Sequence, residues 1–284
     1  MASTWDTPDF DLDAYLARIG FIGERAPTER TLRELQRRHV LSIPFENLEI
    51  ILGRPVLLDL PSLQAKLVRQ RRGGYCFEHS TLFAAALERL GFGVTGLAAR
   101  VRMGQEGRLL PTTHAVLRVS TRETPATGRE WLCDVGFGRN ALEPAEFTDG
   151  AEVSEGGWRF RLVRESTDPV EVWVWRTLVG GEAHDAHAFP LLPQYPVDYA
   201  VGNHWVSTTP RSPFVTGLRV QRVEPGVQYA LDGQRVTALR PDGRTEVREV
   251  EPAEVPKVLE HTFGIELDTA DRAALVHRLE ADRA

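Results

Sequence analysis

The apolar residues in the first third of the chain recur every three or four positions, which is the spacing of a helix with one buried face. This pattern predicts helices over residues 10–19, 28–43, 59–70 and 77–90. Pro44 ends the second of them, because proline cannot donate the backbone hydrogen bond that a helix interior requires. The first third is therefore expected to be helical.

The middle of the chain changes to short runs rich in β-branched and aromatic residues, separated by Gly, Pro and Asp. In chain order these runs are VTGLAARVRM, HAVLRVST, EWLCDVGF, GWRFRLVRES and VEVWVWRTL. Trp158, Phe160 and Leu162 alternate with arginines, which indicates a half-buried antiparallel strand. Several such strands in succession predict a small barrel or sandwich.

The last third mixes both patterns. Asp-Gly pairs at 232–233 and 242–243 predict the turns of a hairpin or meander. Helical patterns follow over 252–265 and 269–284. The order of patterns along the chain therefore predicts an α+β fold.

Composition and charge narrow the class of protein. The chain has 284 residues, a hydrophobic content of 42% and a charged content of 26%, which are ordinary for a globular protein. Its net charge of −6 argues against nucleic-acid binding. No apolar run is long enough to cross a membrane, and the acidic N-terminus does not resemble a secretory signal. Two cysteines fit a reducing compartment, so we expect a cytoplasmic protein with no nucleic-acid or membrane partner.

One of the two cysteines, Cys76, lies in the string RRGGYCFEHS, directly before the helix predicted over 77–90. A cysteine nucleophile reacts as the thiolate, and the free N–H groups of a first helical turn favour negative charge. Gly73 and Gly74 are expected to let the chain turn tightly beside it. The alternative is that Cys76 is a buried filler. Cys133 is expected to be buried and inert.

A thiolate needs a base, and His114 is the best placed of the eight histidines because it opens an apolar strand. Asp134 is predicted to lie within another strand. Burying a carboxylate there costs free energy unless the carboxylate is paired, and His114 could be its partner. His79, on the helix of the candidate nucleophile, is expected to point elsewhere. His184 and His187 are residue types that bind metals, but no clear further ligand accompanies them, and no metal site is predicted.

Four strings within residues 43–138 together resemble the arylamine N-acetyltransferases: IPFENLEI, RRGGYCFEHS, THAVLRV and LCDVGFG. A weaker element, NHWVSTTPRSPF, occupies 203–214. The resemblance implies a catalytic triad of Cys76, His114 and Asp134, arranged as in cysteine proteases. These are the same three residues that the local patterns suggest.

The resemblance also implies a division of the chain into three parts. An N-terminal helical bundle over 1–92 would carry the cysteine, and an antiparallel β-barrel over 93–205 would carry the histidine and the aspartate. A C-terminal α/β lid over 206–284 would complete the fold.

The acceptor pocket implied by the resemblance is lined by Phe45, Phe137 and Phe214, although plain core packing is the alternative for each. Glu46 and Arg72 resemble an ion pair that anchors the active-site loop of the family.

The implied enzyme is an acyltransferase of xenobiotic metabolism. It would transfer acetyl from acetyl-CoA to the nitrogen of arylamines, arylhydrazines or similar amines through an acetyl-cysteine, with ping-pong kinetics. Acetyl-CoA would be a co-substrate, and no permanently bound cofactor is expected. Trp205, Thr208 and Ser212 lie where relatives contact the CoA moiety.

Three alternatives stay open at this point. A cysteine hydrolase could use the same triad with water in place of the arylamine. A macrolactam-forming amide synthase could use it with an acyl group from a polyketide synthase in place of acetyl-CoA. A binding module with a decayed site is disfavoured because all three triad positions are filled.

Overall fold

The computed structural model describes residues 4–104, 108–167 and 170–282. The first part of the chain is helical, as the apolar spacing predicts. Its helices are α1 (Leu12–Ile19), α2 (Glu29–Ser42), α3 (Leu48–Ile51), α4 (Leu60–Leu63) and α5 (Cys76–Arg89). A π-helical segment, Gln64–Arg69, directly continues α4.

Side-chain caps define the starts of several helices, whereas α5 is distinguished by its burial. Asp11, Thr28 and Asp59 each accept the N–H group three residues further on, ahead of α1, α2 and α4. Every residue of α5 from Cys76 to Leu87 is buried. The helix is therefore enclosed on all sides, rather than packed through the single apolar stripe that its sequence suggests.

The middle of the chain forms an eight-stranded antiparallel sheet that nearly closes into a barrel, with the strand order β5-β4-β3-β2-β9-β8-β7-β6. Its strands are β2 (Gly93–Val101), β3 (His114–Ser120), β4 (Glu130–Cys133), β5 (Ala145–Glu146), β6 (Glu152–Glu155), β7 (Trp158–Thr167), β8 (Val170–Val179) and β9 (Glu182–Phe189). Trp158, Phe160 and Leu162 of β7 are buried, which confirms the alternation read from the sequence.

A second antiparallel sheet, of order β1-β10-β11-β12-β13, joins distant parts of the chain. Its strands are β1 (Phe45–Glu46), β10 (Arg219–Glu224), β11 (Val227–Asp232), β12 (Arg235–Leu239) and β13 (Thr245–Glu249). Hairpins at 232–233 and 242–243 confirm the predicted turns, with Gly233 and Gly243 at φ 61 and 86. Because β1 pairs with β10, the strand that precedes the Cys76 loop belongs to the C-terminal sheet.

Shorter helices connect and close these sheets. They are α6 (Thr124–Thr127), α7 (Pro196–Thr208), α8 (Pro213–Thr216), α9 (Val255–Val258) and α10 (Thr269–Ala281), with a 3-10 segment Pro252–Glu254 and a π-helical segment Leu259–Phe263 around α9. The boundary predicted between 205 and 206 falls inside α7, and the three-part division of the chain stays a prediction. Among the described residues, the structure has no helix with both the length and the apolar character needed to span a membrane.

Candidate active site

The loop before Cys76 is shaped by close packing. A Cβ atom on Gly73 would overlap the carbonyl oxygen of Pro44, and one on Gly74 would lie 2.8 Å from Glu78 Oε2. The left-handed residue of this loop is Arg71, with φ 55, and neither glycine has a positive φ. The two glycines are therefore required because the neighbouring groups leave no room for a side chain, and not for the tight turn that the sequence suggests.

A buried group of four charged residues supports the same loop. Arg72 Nη2 lies 2.9 Å from Glu46 Oε1, which confirms the ion pair that the resemblance implies. Lys66 Nζ lies 2.7 Å from Glu78 Oε1. Burial by itself would raise the pKa of Glu46, but Arg72 and Lys66 lower it to about 2. Burial raises the pKa of Glu78 to about 7 in spite of Lys66.

The three predicted triad residues lie together, and two of them, Cys76 and His114, line a cavity. Cys76 is the first residue of α5, and its thiol donates to the carbonyl oxygen of Thr113 at 3.5 Å. His114 opens β3, and its Nε2 lies 2.9 Å from Asp134 Oδ2. Asp134 follows the last residue of β4, Cys133, so it is not inside the strand as predicted. The end of a strand frees its backbone to bend and lets the carboxylate reach the imidazole.

The charges of this group follow from its contacts. Burial opposes a charge on His114, but Asp134 and the neighbouring Cys76 raise the pKa of the imidazole to about 10. Burial likewise opposes a charge on Asp134, yet His114 holds the pKa of that carboxyl well below its usual range. At neutral pH the site therefore holds an ionised aspartate beside an imidazolium.

Two residues that sequence reasoning missed also hold Asp134. His187 Nε2 lies 2.8 Å from Asp134 Oδ2, the oxygen that also contacts His114. Asn140 donates its Nδ2 hydrogen to the carbonyl oxygen of Asp134 at 2.9 Å, and its Oδ1 accepts the indole N–H of Trp175 at 2.9 Å. The sequence carried no signal for Asn140, because its partners are set by the barrel.

In the sequence, His187 stands out only as part of the string HDAH, as a residue type that binds metals. The pairing between β8 and β9 shifts by one residue between Trp175 and Arg176, so His184 pairs with Thr177 and His187 with Trp175. In β9, His184 is exposed and His187 is fully buried. Because this irregularity lies between the two histidines, alternation along the strand does not predict which of them is buried.

Ligand atoms of His114, Asp134 and His187 lie within 4.8 Å of one another, a separation at which a metal ion could be held. Because Asp134 is ionised, its oxygen can only accept, and both Nε2 atoms must carry hydrogens. A nitrogen that carries a hydrogen has no lone pair for a metal. The absence of a bound metal, which the sequence suggests on separate grounds, stays a prediction.

A cavity of about 530 Å³ opens above Cys76 and His114. The three predicted phenylalanines line it, namely Phe45, Phe137 and Phe214. The Phe137 ring packs edge-on against His114 with 5.1 Å between centroids. The rings of Phe45 and Phe214 lie 5.9 Å apart. Aromatic side chains therefore line the same cavity as Cys76 and His114.

The residues predicted to contact CoA are divided between cavity and surface. Trp205, which is 37% exposed, lines the cavity. Ser212 also lines it, but its Oγ caps α8 by accepting the N–H of Phe214 at 3.3 Å. Thr208 is exposed, and its hydroxyl donates to the carbonyl oxygen of His204 at 2.6 Å.

The geometry agrees with comparisons to known proteins. A family model described as N-acetyltransferase matches residues 29–272. An arylamine N-acetyltransferase of Mycolicibacterium smegmatis is 38% identical over 267 residues, which are 92% of this chain and 94% of that protein. The chain belongs to the arylamine N-acetyltransferase family. Arylamine N-acetyltransferases are acyltransferase enzymes, so acetyl transfer is the activity class of this chain.

Solved structures of arylamine N-acetyltransferases match the fold over nearly its whole length. The Nocardia farcinica structure is 52% identical with a TM-score of 0.92, and covers 98% of each chain. The Mycobacterium abscessus structure is 41% identical with a TM-score of 0.93, and covers 99% of this chain and 98% of its own. A Mycobacterium marinum structure in complex with CoA is 34% identical with a TM-score of 0.86, and the match covers 95% of this chain and 99% of that one. The α+β fold predicted from the sequence is therefore confirmed.

Proposed function

We propose that this enzyme transfers acetyl from acetyl-CoA to the nitrogen of arylamines or arylhydrazines through an acetyl group on Cys76. The observation that carries the proposal is the position of Cys76 at a helix start, beside an imidazole held 2.9 Å from a buried carboxylate, in the lining of a cavity. Acetyl-CoA acts as a co-substrate, as the CoA complex of the Mycobacterium marinum relative supports.

In the first half-reaction the Cys76 sulfur attacks the carbonyl carbon of the thioester. A new carbon–sulfur bond forms, the bond from that carbon to the CoA sulfur breaks, and the proton of His114 passes to the CoA sulfur. Both the broken and the formed bonds are thioester bonds, so the exchange is nearly balanced in free energy. Free N–H groups at the start of α5 stabilise the oxyanion of the intermediate.

In the second half-reaction the amine nitrogen attacks the acetyl-cysteine. His114 removes a proton from the nitrogen, the amide forms, and the Cys76 thiolate leaves. This returns the imidazolium and thiolate of the starting state. Asp134 keeps the ring in one orientation through both steps, and CoA departs before the amine reacts, so the kinetics are ping-pong.

The aromatic wall of the cavity selects a flat acceptor. Phe45, Phe137 and Phe214 offer ring faces and edges to an aryl group, which buries a large area at a small cost in conformational entropy. Trp205 lies in the cavity wall at a partly exposed position, where it can contact the CoA moiety. Ser212 and Thr208 already have hydrogen-bond partners within the chain, so Trp205 is the stronger candidate of the three.

Intact-protein mass spectrometry after mixing with acetyl-CoA alone tests this proposal. We expect one added acetyl group on the wild type, none on Cys76→Ala, and its loss when an arylamine is added. Cys133→Ala is the matched control and should acquire the acetyl group, because burial raises the pKa of the Cys133 thiol.

The other outcomes separate the alternatives. An acetyl group that is lost to water as fast as to the arylamine would favour a hydrolase. The absence of an adduct on the wild type would contradict the proposal and favour the hydrolase or the amide synthase instead.

A further inference from the structure

Two histidines share one carboxylate oxygen in this site. His114 Nε2 and His187 Nε2 lie 2.9 and 2.8 Å from Asp134 Oδ2, and all three side chains are buried. We propose that His187 is a positioning residue, a permanently neutral donor that orients Asp134 and limits how strongly Asp134 holds the proton of His114. The inference rests on the proposed function, because it concerns the acid–base step of that reaction.

The hydrogen-bond pattern assigns the tautomers of both rings. Because Asp134 is ionised, it accepts from each Nε2, so each of these nitrogens carries a hydrogen. The nitrogen that His114 has left for Cys76 is therefore Nδ1. The same reasoning leaves Nδ1 as the only atom of His187 that can gain or lose a charge-forming proton.

His187 Nδ1 is buried, and no hydrogen-bond partner for it exists among the described residues. A proton there would have no acceptor and would place a second positive charge beside His114. Burial and that neighbouring charge lower the pKa of His187. The ring is thus a donor without charge, unlike His114, although both contact the same oxygen.

Packing holds the His187 ring in this orientation. Its centroid lies 4.8 Å from His114, 5.2 Å from Phe137 and 5.8 Å from Phe189. Its partners across the sheet are Val101 on β2 and Trp175 on β8, neither of which titrates. The ring therefore packs against two phenylalanine side chains, and the polar groups beside it are the Asp134 carboxylate and the His114 imidazole.

The other titratable groups near the two histidines lie on different elements. Tyr199 on α7 stays neutral, because burial raises the pKa of its hydroxyl, which donates to the carbonyl oxygens of Leu97 and Val116. Cys76 faces His114 from α5. The charged residues that line the same cavity are Arg139, Arg211, Arg219 and Asp232. The variants below leave all of these in place, so a change in pH dependence reports the loss of the His187 donor.

A donor on Asp134 Oδ2 disperses part of its negative charge, and Asp134 then attracts the His114 proton less strongly. Removing the donor raises the pKa of His114 and makes it a weaker acid towards the leaving CoA sulfur. For His187→Leu we expect a threefold to tenfold lower kcat/KM for acetyl-CoA at pH 7.5, roughly the effect of one hydrogen bond. The alkaline limb of the pH profile should move upward by about half a pH unit or more.

His187→Gln is the matched variant, since its amide nitrogen can occupy the place of Nε2 and donate to Asp134. It should recover most of the lost rate and return the alkaline limb towards the wild-type position. A lower rate in His187→Leu with an unmoved pH profile and a lower unfolding midpoint would overturn the inference, because it would indicate a structural role only. Equal profiles and rates in all three proteins would overturn it as well.

A measurement on the wild type avoids dependence on whether a variant folds. Proton–nitrogen correlation spectra of ¹⁵N-histidine-labelled enzyme report the protonation state of each ring nitrogen. We expect His187 to be neutral with its hydrogen on Nε2 from pH 6 to 8, and His114 to be doubly protonated. A charged His187, or one with its hydrogen on Nδ1, overturns the inference. Formation of the acetyl adduct on the same sample shows separately whether the proposed function holds.

Discussion

At the scale of single residues, Gly136 is a position at which the site leaves no room for a side chain. Gly136 lies so close to the active-site helix that a Cβ atom on it would be 2.6 Å from the Cα atom of Cys76. Its N–H also donates to Asp134 Oδ1 at 3.2 Å. Gly136 thus sets the distance between the segment that carries Asp134 and the start of α5.

We predict that Gly136→Ala separates these two segments and lowers kcat/KM for acetyl transfer by about 100-fold, since an error of about 1 Å in a catalytic group has an effect of that size. The free energy of unfolding should fall by about 1–3 kcal/mol through overpacking. Gly217→Ala is the control, because a Cβ atom there would meet nothing within 4 Å and its φ of −170 suits any residue. Equal acetylation rates in the two variants would contradict the prediction.

At the scale of elements, α5 is tied to its surroundings by a chain of buried hydrogen bonds. His79 Nε2 donates to the carbonyl oxygens of Gly74 and Pro44 at 3.0 and 3.2 Å, so its Nδ1 must accept from His39 Nε2 at 2.8 Å. His39 Nδ1 in turn accepts the hydroxyl of Tyr15 at 2.8 Å. His79 therefore points away from Cys76, as the sequence predicts, and supports the loop before it.

Every donor in this series of hydrogen bonds has an acceptor only while His39 and His79 are both neutral. Burial lowers the pKa of His79 from 6.5 to about 4, whereas His79 in the unfolded chain gains a proton below 6.5. The unfolded state therefore binds more protons between these values, and the stability from His79 is present above pH 6.5 and lost as the pH falls towards 4. The difference amounts to about 3 kcal/mol.

We predict that the free energy of unfolding of His79→Gln depends less on pH between 6.5 and 4 than that of the wild type, as measured by urea titration. The comparison must be between variants, because Glu78, whose raised pKa is about 7, has the opposite dependence over part of this range. His277→Gln, at an exposed position of α10, is the control and should keep the wild-type slope. A wild-type slope in His79→Gln would refute this account.

At the scale of the whole molecule, the cavity is closed by contacts between residues far apart in sequence. Asn47 follows β1, and its Nδ2 donates to the carbonyl oxygens of Phe214 and Gly217 at 2.8 and 2.9 Å. Its Oδ1 accepts the N–H of Arg219 at 2.7 Å. One buried amide thus holds the segment that carries Phe214 against the helical part of the chain.

We predict that Asn47→Ala lowers the free energy of unfolding by about 2–4 kcal/mol, because three backbone groups lose their partner. The KM for the arylamine should rise several-fold, since Phe214 is no longer held in the cavity wall, whereas the rate of Cys76 acetylation should change little. Val247→Ala, on the outer strand β13, is the control for stability and kinetics. An unchanged arylamine KM in a destabilised Asn47→Ala would argue against a role for this contact in the acceptor pocket.

The sequence by itself determined the features that depend on neighbours along the chain. The period of apolar residues marked α1, α2 and β7, and Asp-Gly pairs marked the turns of the second sheet. The strings around Cys76, His114 and Asp134 indicated the family, which the comparisons confirmed. These signals are local because a helix, a strand or a turn is defined by residues a few positions apart.

Only the tertiary structure decided which side chains complete the site. His187 and Asn140 are brought to Asp134 by strand pairing and burial across tens of residues, and the string HDAH by itself did not indicate a hydrogen-bond donor to Asp134. The need for Gly136 and Gly73 arises from atoms of other elements, with no unusual φ to announce it. Close packing and hydrogen-bond partnership depend on distance in space, and a period along one chain does not contain that distance.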